Sequence, residues 1–282
     1  MKKYLQIEYL KLKGNSSFKV FTLFFIIFLP ILVYVSPFII EDSILGKGTY
    51  PYLPKSSQAT WYFTTYIASW FSLFILSFII IFHITNEYAA KTVRQNIIDG
   101  YSKLDFLKSK FYMVFFMAFV ATIYVFVVGL IANFYFGSTQ PDLSNVPNVP
   151  GMTVNIEGDF SNPFNGILFL LSYFLQVLAY FVLAVLTSVL IKKGALVVIV
   201  YFSLFFIEII IGIQLKQGLE NVVPYLPLHS FSSLLPFAGW ESLLKGLGEV
   251  EPMTLTNSIV TITYILIFIL LTKVIFFKRD VV

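Results

Sequence analysis

The chain has 282 residues, of which 58% are hydrophobic, 18% aromatic and only 12% charged. Soluble domains carry about a quarter charged residues, so a soluble domain is excluded and an all-α integral membrane protein is expected, with one transmembrane domain over 1–282. The net charge is +4, and the absence of cysteine excludes disulfides, thiol catalysis and cysteine-based metal sites.

Residues 1–17 set Lys2, Lys3, Lys11 and Lys13 around Leu5, Tyr9 and Leu12. That i, i+4, i+7 spacing predicts a short N-terminal interfacial helix lying on the membrane surface. The apolar run over 18–40 is long enough to cross about 30 Å of hydrocarbon, and no small-x-small cleavage site follows it, so it reads as a first span and not as a signal peptide. Runs at about 59–84, 110–136, 165–191, 195–213 and 257–277 bring the predicted count to six transmembrane helices. Spans four and five meet at Ile191-Lys192-Lys193-Gly194, which predicts a tight charged turn at the membrane face.

With the N-terminus cytoplasmic, that side holds fifteen Lys and Arg residues and the other side four, namely Lys47, Lys55, Lys216 and Lys245. This asymmetry predicts a multi-pass protein with both termini in the cytoplasm, and it accounts for the basic residues without nucleic acid. Of the two longer outer loops, 137–164 is polar and rich in proline, with an alternation at Met152, Val154 and Ile156 that suits a short strand. Residues 214–256 are apolar but broken by Pro224, Pro227 and Pro236, which predicts short helices forming a re-entrant outer segment between spans five and six.

There is no Gly-x-x-x-x-Gly-Lys-Ser/Thr phosphate loop, so the chain is not expected to bind or hydrolyse nucleotide by itself. His83 and His229 fall on opposite sides of the predicted membrane, and no His-Glu-x-x-His motif or paired acidic ligand set is visible, so neither a metal nor a catalytic centre is expected. Glu208 is the one charged residue well inside an apolar run, which marks it as a functional candidate. Thr65, Ser69 and Ser72 share one face of span two, a pattern that suits close helix packing, and Asn133 and Gln176 read as interhelical hydrogen bonds.

The segment 85–109 after span two is the part of the chain densest in charge of both signs. Glu87, Lys91 and Arg94 fall at i, i+4 and i+7 with Ala89, Ala90, Val93 and Ile97 behind them, which predicts one helix with a charged edge. Gly100 suits a helix C-terminal cap, and Ser102 with Asp105 is a capping-box signature for a second helix leading into span three.

Glu87, Thr92, Arg94, Gly100, Ser102 and Lys103 follow the pattern Glu-x4-Thr-x-Arg-x5-Gly-x-Ser-Arg/Lys. On that loop, the six-span layout, the basic N-terminal helix and the ending Phe277-Lys278-Arg279-Asp280-Val281, the chain resembles the membrane (permease) subunit of a type 2 ABC transporter of the exporter type. The resemblance implies an ATP-driven export permease of the bacterial cytoplasmic membrane. It implies a separate ATP-binding-cassette ATPase subunit carrying ATP and Mg, no cofactor on this chain, and a second permease chain, identical or related. The loop after span two would be the coupling helix seated in a cleft of that ATPase, with Glu87 and Arg94 paired to its charges, Lys91 and Thr92 flanking the contact, and Gly100, Ser102 and Lys103 completing the docking motif. The 1–17 helix would brace it. Ser69, Ser72, Tyr201, Phe205 and Glu208 become candidate pathway residues. The loop 137–164 is longer than the simplest members of that family need. Two other classes compete: an ion-gradient secondary carrier with Glu208 as its coupling site, and a non-transporting scaffold or intramembrane enzyme. Against the carrier stand the lack of repeated halves and of a second buried charge of the sort such carriers use.

Overall fold

Runs of Leu, Ile, Val and Phe too long for a soluble helix become helices because only intrahelical hydrogen bonds satisfy the backbone in hydrocarbon. The computed structural model describes residues 2–43, 57–98, 100–136, 164–215, 220–235 and 255–278. Its elements are α1 (Lys2–Gly14), α2 (Ser16–Ser43), α3 (Ser57–Phe71), a π-helical turn (Ser72–Leu76), α4 (Ser77–Ala89) and α5 (Thr92–Ile98). They continue with α6 (Lys103–Phe136), α7 (Phe164–Ile191), α8 (Gly194–Leu215), a 3-10 turn (Glu220–Tyr225), α9 (Pro227–Ser232) and α10 (Leu255–Lys278). Six helical stretches are long and apolar enough to span a membrane: Ser16–Val35, Phe63–Ala89, Lys103–Phe136, Gly166–Ile191, Gly194–Gly212 and Leu255–Lys278. The described residues are therefore all helical and the chain is a multi-pass membrane protein, and each of the six predicted spans overlaps one of those stretches.

Helix α7 is the axis of the bundle. It touches α3, α4, α6, α8, α9 and α10, and Tyr173, Val177, Tyr180, Phe181, Ala184 and Val185 are nearly or fully enclosed. By contrast α2, α8 and α10 turn broad apolar faces outward, including Ile207, Ile210, Leu266 and Leu270, as expected of helices against lipid. Two glycines make room for one indole. A Cβ on Gly129 of α6 would overlap the Trp61 indole of α3, and one on Gly166 of α7 would lie 3.0 Å from the same ring. The ring thus seats against both helices where a larger residue at either position would displace it.

Span two is not one continuous α-helix. The π turn inserts an extra residue into the helical register, so that Ser77 Oγ donates to the Ser72 carbonyl at 2.9 Å. Ser72 and Tyr173 hydroxyls meet at 2.7 Å, and Tyr201 of α8 reaches Ser77 at 3.0 Å. Thr65, Ser69 and Ser72 are buried together, as expected of a packing face. Gln176 departs from expectation, because its amide donates to the Tyr180 hydroxyl within α7 at 3.0 Å and not to another helix.

Short broken helices do occupy part of 214–256, as Leu228 and Phe231 of α9 pack into the bundle. The predicted strand at Met152, Val154 and Ile156 lies outside the described residues.

Candidate functional site

At the end of the bundle that carries α1 and α5, four charged side chains and a histidine converge. Glu8 comes from α1, His83 and Glu87 from the last two turns of α4, and Lys110 with Ser109 from the start of α6; all five are buried. Lys110 Nζ lies 2.6 Å from Glu8 and 2.7 Å from Glu87. His83 Nε2 lies 2.7 Å from Glu8, and the Ser109 hydroxyl donates to Glu8 at 3.0 Å. Lys11, one turn along α1, closes the cluster from its solvent side at 3.0 Å from Glu87. With His83 neutral, two ammonium groups balance two carboxylates, and the Phe106 ring 5.0 Å from Lys110 Nζ adds a favourable face for the cation.

Such a cluster is stable only when complete, because each ion has lost its water and is held by its partners. The consequence for Glu8 is direct. Burial alone would raise its pKa, but the His83 hydrogen bond and the Lys110 and Lys11 charges outweigh this and hold it well below the ordinary glutamate range. A carboxyl depressed on folding contributes stability that is fully present above its unfolded pKa and is lost as pH falls through the folded one. Protection of the α1 amides, measured against the unstructured-peptide exchange rate at each pH, should therefore hold from about pH 8 to about pH 5 and fall only in stronger acid. Glu8→Gln should abolish that protection throughout. Unprotected α1 amides in the native chain at pH 6 would contradict the pairing.

Glu8, His83 and Glu87 also have the chemistry of metal ligands, with ligand atoms all within 4.8 Å of one another. The Lys110 ammonium, 2.6, 2.7 and 3.3 Å from Glu8, Glu87 and His83, stands where a cation would stand. The three side chains are thus filled by an internal cation. This corrects one expectation: a paired acidic set does exist in space, formed by residues far apart in the chain.

The hairpin between α4 and α6 is built differently from the continuous helix its periodicity suggests. Helix α4 stops at Ala89, Lys91 takes a φ of 56°, and α5 starts afresh at Thr92. The break separates Glu87 from Lys91 and Arg94. Glu87 turns inward to Lys110 and Lys11, while Lys91 and Arg94 face outward. Thr92 Oγ1 donates to the Glu87 carbonyl at 3.1 Å and ties the two helices together. Val93 is buried and Ile97 packs against the core, but Ala89 and Ala90 are exposed.

Both expected caps are present. Gly100, at φ 95°, ends α5 with Gly100 N–H to the Ile97 carbonyl at 3.2 Å and Tyr101 N–H to the Asn96 carbonyl at 2.9 Å, a Schellman pair. Ser102 is the N-cap of α6, its hydroxyl accepting the Asp105 N–H at 3.0 Å and donating to the Asp105 carboxylate at 2.6 Å. Lys103 is half-buried at the start of α6. A cleft of about 210 Å³ opens between α1, α5 and α6, lined by Ile7, Lys11, Asn96 and Tyr101 beside the cluster.

Helix α1 is also rotated from its expected setting. Glu8 and Leu12 face inward, whereas Tyr9, assigned to the apolar stripe, is 55% exposed. An ion pair outweighs the apolar periodicity here. The only acid in a basic segment was the available signal for it.

The candidate pathway residues are not gathered at one opening. Ser69, Ser72 and Tyr201 are enclosed within the bundle, and Phe205, half-buried, packs edge-to-face with Trp70 and Phe74. Glu208 has a structural use. Its Oε1 accepts the His229 N–H at 2.5 Å, so the carboxylate of α8 caps the start of α9 from outside that helix. A cap of this kind is worth about 1 kcal/mol. Glu208→Ala should therefore speed proteolysis in the 220–235 segment while leaving the bundle folded; unchanged cleavage would show that the cap contributes nothing.

Residues 27–282 match the profile of one protein family, described as "Protein of unknown function (DUF2705)". No curated protein matches the chain. The match begins within α2, so Glu8 and Lys11 precede it, while His83, Glu87 and Lys110 lie inside it.

Proposed function

Because the chain belongs to the DUF2705 family, whose description assigns no activity, its function has to be read from its own residues, and we propose that it is the permease subunit of an ATP-driven exporter. In this reading it lies in the bacterial cytoplasmic membrane with the α1 and α5 end in the cytoplasm. A separate ATP-binding-cassette subunit supplies the energy, and a second permease chain completes the pathway. The observation that carries the reading is the mounting of α5. This seven-residue helix is held by Thr92 at its start and Gly100 at its end, and rests on the bundle through Val93. Just before it, Glu87 is fixed to α1 and α6 by two lysines.

A helix mounted so firmly transmits displacement and does not absorb it, since coupling runs through packed, hydrogen-bonded elements that move as units. A push on Lys91 and Arg94 reaches α4 through Thr92, and reaches α6 and α1 through Glu87 and Lys110. Helix α1 then serves as an interfacial brace, and α9 with its flanking turn as a re-entrant segment at the outer surface. In this reading the transport route runs along α3 and α8 beside Phe205, between two permease chains; the burial of Ser69, Ser72 and Tyr201 inside the bundle supports a route outside it.

The test is reconstitution. The chain, co-expressed in turn with each ATP-binding-cassette subunit of its own genome, should form a stable complex with one of them whose ATPase rate depends on the chain's presence. The absence of any such complex from correctly inserted protein would sink the reading.

A further inference from the structure

Span one carries a proline at mid-depth. Pro30 is the one proline within Ser16–Val35, and it follows Ile26 by four residues. A proline has no N–H to offer the carbonyl four residues back, and its ring crowds that carbonyl away from the helix axis. Ile26 lies near the middle of the span, where no water replaces the missing donor. The donor comes from another helix: the Tyr124 hydroxyl of α6 donates to the Ile26 carbonyl at 2.6 Å. Phe25 is buried, and its ring, 5.4 Å from that of Tyr124, seats the phenol at this place.

The two halves of α2 are attached to different partners. Before Pro30, Phe21 packs on Phe78 and Phe82 of α4, at 6.1 and 6.0 Å between ring centres. The same half is joined to α1 through Asn15, whose side chain accepts the Ser17 N–H at 3.0 Å, and α1 carries Glu8 and Lys11 of the buried cluster. Beyond Pro30, Tyr34 packs on Tyr135 and Phe136 of α6, at 4.9 and 5.8 Å. The cluster pins α1, α4 and α6 together at one end of the bundle, so a tilt of α6 against α4 separates them most toward the other. Helix α2 then takes up the strain at the turn that lacks its own hydrogen bond.

We infer that Pro30 makes a hinge in span one and that the Tyr124 hydroxyl is its latch, closed when bonded to the Ile26 carbonyl. The inference does not rest on the permease reading. A carbonyl satisfied within its own helix has nothing to release, whereas one satisfied from a neighbour makes the stiffness of α2 depend on where α6 stands. Tyr124 is thus a positioning residue. With the latch made, both halves of α2 follow α6; with it broken, the half that carries α1 swings about Pro30.

The chain has no cysteine, so spin labels at Val20→Cys on α2 and Ile131→Cys on α6, both exposed, report this motion without background. In lipid nanodiscs the otherwise native full chain should give one main distance. Tyr124→Phe should raise the population of a second distance about tenfold, the effect of one carbonyl left unpaired in hydrocarbon. Adding Pro30→Ala to Tyr124→Phe returns an N–H to the Ile26 carbonyl and should abolish that second distance. Unchanged distances in Tyr124→Phe overturn the inference. A second distance that survives Pro30→Ala also overturns it, because the tyrosine then acts through packing and not through the carbonyl. Where Tyr124→Phe is too unstable to label, unfolding temperatures decide: a double variant matching Pro30→Ala alone supports the latch, and one as unstable as Tyr124→Phe overturns it.

Discussion

Lys110→Met should be the most damaging single substitution in the described part of the chain, costing about 3–5 kcal/mol of a stability that is only about 5–15 kcal/mol in total. Lys110 is 1% exposed and is the one group that touches Glu8, Glu87 and His83 together. Its removal leaves two carboxylates buried close to each other with Lys11 alone to balance them. The cost belongs to the orphaned anions and not to the lysine, which gives the prediction a second arm. Combining Lys110→Met with Glu8→Gln and Glu87→Gln should recover much of the loss, because replacing a whole buried ion cluster is often close to neutral. Thermal unfolding in detergent reads both. A single variant that unfolds with the native chain, or a triple variant no better than the single one, would mean that the cluster does not hold α1 to the hairpin.

The bundle was legible because its signals are local. Apolar runs of sufficient length fix the spans, prolines fix the breaks around α9, and Gly100 and Ser102 fix the hairpin's second half. The cluster was not legible, because it joins Glu8 to residues 75 and 102 positions away. Glu8 reads as one acid in a basic tail and Lys110 as the edge of an apolar run, and only packing brings them together. His83 and Glu87 at i, i+4 carried a hint, since one helical face then offers an imidazole and a carboxylate. The π turn in span two and the break at Lys91 were equally hidden, because each shifts the register by an amount that periodicity assumes to be zero. For the same reason Glu208, conspicuous as a lone charge in an apolar run, gave no sign that the peptide groups of α9 would claim it.

Arg94→Glu and Glu87→Gln should now separate, although sequence spacing sets the two residues side by side on one edge. Arg94 is exposed on α5, and exposed substitutions of this kind usually change stability by less than about 0.5 kcal/mol. Its reversal should leave thermal unfolding unchanged and, on the permease proposal, sharply reduce ATPase association and ATP-driven transport in vesicles. Glu87 is 7% exposed and answers both lysines of the cluster. Glu87→Gln strips Lys110 and Lys11 of a shared anion, so its first effect should be a lower unfolding temperature and faster exchange in α1. Loss of transport should follow only as far as the mount of α5 loosens. On the permease proposal the two variants thus mark the boundary between the surface that would receive the partner and the frame that would carry its push. That boundary is misplaced if Arg94→Glu destabilises the chain as much as Glu87→Gln does, or if it folds normally and still transports at the native rate.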